Sequence, residues 1–218
     1  MQSVSRYKLR GFNPDNLGEI ELFNLMGYHP TTLKARGCWK PGFDYKNEVD
    51  LTSTRNLIVT SSRISRKDDD VLFAVTDLGD KIVGWVWFYH DSTHPLPAKV
   101  VSELGLTERN SRIYQISYEK LMSEGWPKAL VAKVRHVTVS YLAKRRKGVI
   151  VAGLGLAIAR LVRMYRRLYV YKRKLVLYAF VHRSNLASSK VLAHNGFTRL
   201  KRKYSYDGTL HFLWVKVV

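Results

Sequence analysis

The stretch that decides the predicted fold, residues 133–189, contains two strand-like runs, Val134-Arg-His-Val-Thr-Val139 and Lys174-Leu-Val-Leu-Tyr-Ala-Phe-Val-His182. The first alternates apolar with polar side chains and is rich in β-branched residues, which is typical of strands, and the second is a more continuous apolar run, which predicts a more buried strand. Between them, apolar residues from Leu154 to Tyr169 recur at helical spacing, while arginines occupy the other face of the helix. A strand, a helix and a strand predict a βαβ unit, whose right-handed crossover makes the two strands parallel.

A glycine turn, Gly153-Leu-Gly155, is predicted to lead into this helix. Glycine has no Cβ, so a ligand can approach the backbone N–H groups at the positive end of the helix dipole. This pattern predicts a phosphate site on Gly153, Leu154, Gly155 and Leu156. After the second strand, Asn185 is predicted to cap a short helix and Gly196 to end it.

This closing segment, Asn185-x-x-Ser188-x-x-Val191-Leu192-x-x-x-Gly196-Phe197, resembles the last motif of the GNAT superfamily of N-acetyltransferases. It is most similar to the branch that acetylates the N-termini of ribosomal proteins, and the resemblance covers residues 71–218. The superfamily's other signature, Arg/Gln-x-x-Gly-x-Gly/Ala, fits in two registers, Arg145-x-x-Gly148 and Gly153-x-Gly155. We favour the second register, with a short insertion that leaves Arg145, Arg146 and Lys147 as a basic flap.

The resemblance implies an α/β (α+β) fold: a mixed, mostly antiparallel sheet with a central, splayed parallel strand pair and flanking helices. It implies one domain over residues 1–218, with an inserted segment at 92–130. It also implies acetyl-CoA as the cofactor, with the pantetheine arm paired to Val137, Thr138 and Val139 of the first central strand. Asn185 and Ser188 are then expected to contact the pantetheine, and Arg145, Arg146 and Gly148 belong to the alternative register.

The sequence offers several candidates for the general base. Lys133 stands where many relatives carry a glutamate, so the remaining candidates are Glu119, His136, Tyr118 and Tyr204. A half-buried structural role is the alternative for His136, and a solvated surface role is the alternative for Glu119. A water relay to solvent would need no base. Leu192 stands where other relatives place a general-acid tyrosine, although the branch resembled here also has leucine.

The positive charge is concentrated in the C-terminal part of the chain. Of the formal net charge of +20, residues 131–218 carry +19, because they hold 20 Lys and Arg but only Asp207 as an acid. A CoA molecule carries roughly four negative charges, which a few cations satisfy, so the excess indicates a second polyanion such as RNA, DNA or the ribosome. A solubilising surface is the alternative, but such surfaces normally mix both signs.

The resemblance and the charge distribution together imply two alternative functions. The first is an acyl-CoA-dependent N-acyltransferase that moves an acetyl group to a primary amine by direct attack, on a macromolecular or nucleic-acid-associated acceptor. The alternative is a non-catalytic nucleic-acid-binding protein that uses the basic C-terminal half of the same fold. The Gly153-x-Gly155 turn together with Asn185 favours the enzyme, and the missing third glycine disfavours a dinucleotide site.

Composition narrows the class further. The single cysteine, Cys38, excludes an internal disulfide, and the seven histidines show no metal-ligand spacing, so no metal site is predicted. The first residues lack the apolar core of a signal peptide, and the longest uncharged run, Gly148–Ala159, is too short to span a bilayer. We therefore expect a cytoplasmic protein without membrane association.

The remaining predicted elements frame the βαβ unit. A hairpin is predicted over 71–89 around Asp77-Leu-Gly-Asp80, and a second one around Asp207-Gly208. Helices are predicted over 17–26 and 50–65. The aperiodic residues 27–45 are expected to form a loop along an acceptor pocket.

Overall fold

The computed structural model describes residues 6–36, 51–62, 70–107, 109–122, 124, 126, 148–168, 173–206 and 208–218. Its strands are β1 (Tyr7–Arg10), β2 (Val71–Asp77), β3 (Ile82–Tyr89), β4 (Ser111–Lys120), β5 (Lys174–His182), β6 (Thr198–Tyr206) and β7 (Thr209–Val217). Its helices are α1 (Leu17–Tyr28), α2 (Pro30–Arg36), α3 (Leu51–Ser62), α4 (Ala98–Glu103), α5 (Val149–Leu168) and α6 (Leu186–His194).

The described strands form one sheet in the order β1-β2-β3-β4-β5-β7-β6. Neighbouring strands are antiparallel except β4 and β5, which are parallel and are joined through α5. The predicted fold class is therefore confirmed: the sheet is mixed and mostly antiparallel, with one central parallel pair and helices on its faces.

The partner of β5 differs from the predicted one. We expected Val134–Val139 to pair with β5, but the strand that does so is β4, in register from Ser111↔Lys174 to Gln115↔Tyr178. Residues 134–139 lie outside the described part of the chain. The predicted insertion at 92–130 therefore contains the central strand of the sheet.

The two faces of the sheet are covered by different helices. The largest apolar cluster packs α5 and α6 on one face, with Leu154, Leu161 and Leu192 among its buried residues. On the opposite face, α1 and α3 cover the β2–β3 side, and α4 covers the β5–β7 side. Because strand side chains alternate, adjacent residues of β4 and β5 point to these two different faces.

Most of the other predicted elements form where expected. The β2–β3 and β6–β7 hairpins, α1 and α3 are all present, and the Asn16 side chain caps α1 by accepting hydrogen bonds from Gly18 N and Glu19 N. The predicted loop at 27–45 is wrong in its first part, where α2 forms; residues 37–50 lie outside the described part. No helix among the described residues is long and apolar enough to cross a membrane, and the longest, α5, carries four arginines.

Candidate active site

The candidate site lies where β4 and β5 separate. Their pairing ends at Gln115↔Tyr178. Beyond it β4 continues beside β3 as far as Gly84↔Lys120, and β5 continues beside β7 as far as His182↔His211. The backbone of Ile116–Tyr118 is therefore not joined to β5 in the described structure. An extended ligand can enter this opening and pair with strand backbone, as an added strand does at a sheet edge.

The first turn of α5 lies beside the same opening. Gly84, which pairs with the last residue of β4, faces Val149 and Ile150, and a Cβ added to it would lie 3.1 Å from a side-chain carbon of each. Gly148 precedes the helix with a φ of +69°, and its carbonyl accepts a hydrogen bond from Ala152 N at 3.2 Å. The N–H groups of Val149, Ile150 and Val151 have no acceptor within the helix and point toward its N-terminal end. They form a place for an anion next to the opening.

This start of α5 overturns the favoured register of the glycine turn. Gly153 and Gly155 lie inside the helix, so their N–H groups and those of Leu154 and Leu156 are used by intrahelical hydrogen bonds. Gly153 instead serves packing, because a Cβ there would lie 2.8 Å from Val75 Cγ2 of β2. The predicted phosphate site on residues 153–156 is therefore wrong, and Gly148 marks the turn before the helix. Arg145 and Arg146 lie outside the described residues.

Asn185 holds the start of α6. Its Oδ1 accepts a hydrogen bond from Ser188 N at 3.0 Å, which confirms the predicted cap. The Ser188 carbonyl accepts a second hydrogen bond, from Tyr118 Oη of β4 at 3.2 Å. Tyr118 therefore connects β4 to α6 on the α5–α6 face of the opening. Burial raises the pKa of the Tyr118 phenol, and the negative charge of the nearby Glu119 carboxylate raises this pKa further. The Tyr118 hydroxyl therefore stays protonated.

Glu119 lies on the opposite face of the same strand. It is half-buried, and its Oε2 accepts a hydrogen bond from Thr32 Oγ1 of α2 at 3.1 Å. Glu119 was a predicted candidate on a strand ahead of the site, and the structure places it on the central strand beside the opening. A second candidate for the general base, His136, lies outside the described residues, as do Val137, Thr138 and Val139.

His182 ends β5 on the other side of the opening. Counting on from Gln115↔Tyr178 brings it level with Glu119, and strand alternation places both on the face away from α5 and α6. Its Nδ1 lies 2.7 Å from Ser184 Oγ and accepts from Ser184 N at 3.4 Å. In the tautomer whose Nδ1 accepts the hydrogen bond from Ser184 N, Nε2 carries the proton and can donate it to a ligand.

Tyr204 lies farther from the opening than predicted. It is on β6, in register with the buried His211 of β7, and its ring meets that of Phe180 edge-on with centroids 6.1 Å apart. It shares the face of Glu119, but β5 and β7 lie between the two strands that carry them. The structure does not bring Tyr204 and Glu119 together.

Two residues of the site were not predicted. His182 carried a usable signal, because it ends a buried parallel strand and ligands of such sheets bind beyond the carboxyl ends of the strands. Thr32 carried none, since its segment shows no helical periodicity. Among the described residues, no group of three His, Cys, Asp or Glu side chains could hold a metal ion.

No protein-family model matches the chain, and no curated protein matches it at a significant level. Solved structures do match. The ribosomal-protein-S5-alanine acetyltransferase from Vibrio fischeri is 16% identical, with a TM-score of 0.58 over 99% of this chain and 94% of that one. A GNAT-family acetyltransferase from Bacillus anthracis is 11% identical, with a TM-score of 0.54 over 99% and 96%. RimJ of Mycobacterium smegmatis, solved with CoA-disulfide, is 19% identical, with a TM-score of 0.52 over 97% and 81%.

The protein therefore has the fold of an acetyltransferase. More narrowly, the fold is that of the GNAT family, as the closing motif at Asn185–Phe197 predicted.

Proposed function

We propose that this protein is an acetyl-CoA-dependent N-acetyltransferase that acetylates a primary amine by direct attack. The observation that carries the proposal is the separation of β4 and β5 after Gln115, directly beside the first turn of α5. A strand-like opening next to helix N–H groups that have no acceptor within the helix suits a ligand that joins an extended amide-containing arm to a pyrophosphate. Solved structures with this fold include one in complex with CoA-disulfide.

The residues present fit acetyl-CoA, which would supply an acetyl group activated as a thioester. The N–H groups of Val149, Ile150 and Val151 would hold the pyrophosphate, assisted by the helix dipole. The backbone of Ile116–Tyr118 would pair with the pantetheine arm, in the role that the sequence assigned to Val137–Val139. Asn185 and Ser188 would line the arm near α6, while Arg145 and Arg146 stay candidates for the phosphates.

Glu119 is the proposed proton acceptor. An amine is protonated at neutral pH, and it must lose a proton before its nitrogen can attack. The Thr32 hydroxyl orients the Glu119 carboxylate on the face away from α5. This carboxylate can bind the ammonium group and take its proton, while His182 Nε2 donates a hydrogen bond to the acceptor from across the opening.

We propose that the acceptor amine is carried by a macromolecule with negative charge. The net charge of +20 repels small polycationic amines and attracts an acidic carrier. Neighbours with this fold include a protein whose name gives a ribosomal protein as its substrate. An amine on RNA or on a ribonucleoprotein combines an alkyl nitrogen for Glu119 with negative charge for the basic surface.

Calorimetric titration tests the enzyme proposal, on protein freed of nucleic acid. Acetyl-CoA should bind at one site with micromolar or better affinity. Adenosine 3′-phosphate 5′-diphosphate is the control ligand, because it has the adenine and the phosphates of acetyl-CoA but no pantetheine arm. It should bind at least tenfold more weakly if the opening between β4 and β5 takes up the arm.

The non-catalytic alternative makes the opposite prediction. A protein that uses this fold only to bind nucleic acid would treat both ligands as small anions on a basic surface. Equal affinity for adenosine 3′-phosphate 5′-diphosphate and acetyl-CoA, both lost in 0.5 M salt, would therefore favour the alternative over the enzyme.

A further inference from the structure

The outer surface of α5 is covered by arginine. Arg160, Arg163, Arg166 and Arg167 are all exposed, and they face away from the buried residues Leu154, Leu161 and Tyr165 on the same helix. The Arg160 guanidinium lies 5.7 Å from the centre of the Phe73 ring, so this residue also packs on the sheet. The other three project into solvent. We call Arg163, Arg166 and Arg167 the arginine face.

No acid balances the arginine face in the described structure. Every acidic residue among the described ranges lies between Asp15 and Glu124, and described residues 148–218 contain no Asp or Glu. None of the three arginines takes part in a salt bridge within these ranges. Like charges three and four residues apart on a helix repel each other, so the cluster costs stability in the absence of a partner.

The arginine face is too far from the first turn of α5 to serve the cofactor. With a rise of 1.5 Å per residue, Arg163 lies about 21 Å and Arg167 about 27 Å along the helix from Val149. The proposed pyrophosphate site is at the start of the helix, and the pantetheine opening lies on the sheet beneath it. These arginines therefore need a second anionic partner.

We propose that the arginine face binds the phosphate backbone of RNA. The guanidinium group is a planar fork that pairs bidentately with phosphate. The surface contains arginine without the acids or apolar anchors that mark a protein interface. The choice of RNA over DNA rests on the proposed function, because an N-acetyltransferase needs an alkyl amine and RNA carries such amines as aminoacyl esters.

The contact geometry defines how the RNA would lie. Backbone contacts fix position without reading sequence, so binding should depend on length and salt far more than on base composition. The distance along α5 places the contacted phosphates about 20 Å or more from the opening. An amine at the end of the RNA, or on a protein bound to it, can then reach Glu119.

The test compares two triple variants with the same loss of charge. The first, Arg163→Gln, Arg166→Gln and Arg167→Gln, removes the arginine face. The matched control, Lys201→Gln, Arg202→Gln and Lys203→Gln, removes three exposed cations from β6 at the opposite edge of the sheet, where charge protects an edge strand. Fluorescence anisotropy measures binding of each protein to a labelled 20-base-pair RNA duplex at several salt concentrations.

We expect the first triple to lose at least tenfold in affinity at 0.1 M salt, and its log-log salt slope to fall by roughly two to three. The β6 triple should change affinity less than threefold. Equal losses in both triples would overturn the proposal, since net charge alone would then explain binding. Absence of RNA binding, tighter binding of DNA than of RNA, or equally tight binding of polyglutamate would also overturn it.

Acetyl-CoA titration on the same proteins separates this inference from the proposed function. Both triples should bind acetyl-CoA like the unmodified protein, which also shows that they are folded. A protein that binds RNA through the arginine face but does not bind acetyl-CoA would refute the enzyme and leave the RNA surface standing.

Discussion

Gly84 is the position where one added methyl group tests the geometry of the whole candidate site. A Cβ there would lie 2.7 Å from the Glu119 carbonyl oxygen and 3.1 Å from Val149 Cγ1 and Ile150 Cδ1. The carbonyl belongs to the β4 backbone and cannot rotate away. Gly84→Ala must therefore push β3, β4 and the first turn of α5 apart.

The expected size of the effect follows from two opposing terms. Overpacking of this kind costs typically about 1–3 kcal/mol, while replacing glycine by alanine restores about 0.4–1 kcal/mol by restricting the unfolded chain. From the midpoints of these two ranges, the net loss for Gly84→Ala is about 1.3 kcal/mol, which lowers Tm by roughly 3–5 °C for a chain of this size. Acetyl-CoA affinity should fall as well, because the β4 wall of the opening and the first turn of α5 both move.

Chemical denaturation and acetyl-CoA titration measure the two effects. Gly27→Ala is the matched control, because a Cβ on Gly27 of α1 has nothing within 4 Å. It should keep or raise stability by up to about 1 kcal/mol, as expected for glycine to alanine in a helix. A Gly84→Ala protein with unchanged stability and unchanged affinity would refute the contact between α5 and the end of β4.

Three further predictions address the chemistry and the helix. Glu119→Gln should lower the rate of acetyl transfer by roughly 10²–10⁴ with acetyl-CoA affinity unchanged, and Thr32→Val should lower it by roughly tenfold. Steady-state kinetics measure both rates. An unchanged rate in Glu119→Gln would mean that solvent, and not Glu119, takes the proton of the amine. Val151→Glu puts a negative charge in the first turn of α5, which interacts favourably with the helix dipole but repels a pyrophosphate. Acetyl-CoA binding, measured by calorimetry, should therefore weaken at least tenfold, while the uncharged control Val151→Gln should change it little. Gly153→Ala should lose about 1–3 kcal/mol in urea unfolding because of Val75 Cγ2 at 2.8 Å, whereas Gly155→Ala should lose less, because its nearest contact is the side-chain atom Asn195 Oδ1 at 3.0 Å. Neither should alter acetyl-CoA affinity, and a selective loss of binding would restore residues 153–156 as the phosphate site.

Local sequence patterns were sufficient where one element determines its own structure. The hairpin over 71–89, the strand Lys174–His182 and the capped helix after Asn185 were all predicted from alternation, turn residues and caps, and all are present. The closing motif also predicted the fold class. In each of these cases the signal lies within a few residues of the structure that it produces.

Pairing between distant strands could not be predicted in the same way. Ile113–Tyr118 and Val134–Val139 have similar β-forming compositions, and periodicity alone does not say which of them neighbours β5. The choice depends on contacts across the sheet, such as the register of β4 with β3. Glu119 was for this reason placed ahead of the site rather than in it.

The start of α5 was predicted wrongly because glycine can either mark a turn or allow a helix to pack closely on a sheet. Glycine usually weakens a helix, so Gly153-Leu-Gly155 suggested a turn before it. In the structure, the missing side chain of Gly153 lets the helix lie close to Val75, and this packing outweighs the low helix propensity. This close approach of Val75 on β2 is not visible from the sequence of the helix.

The hydrogen bond between Thr32 and Glu119 joins two parts of the candidate site that come from distant parts of the chain. The groups proposed to hold acetyl-CoA come from β4, α5 and α6, whereas the wall beside Glu119 comes from α2, near the N-terminus. If Glu119 acts as proposed, substitutions along α2 should exchange one acceptor for another without altering the α5 turn or its N–H groups. A new substrate preference would in this way arise by replacing a seven-residue helix, while the acetyl donor stayed the same.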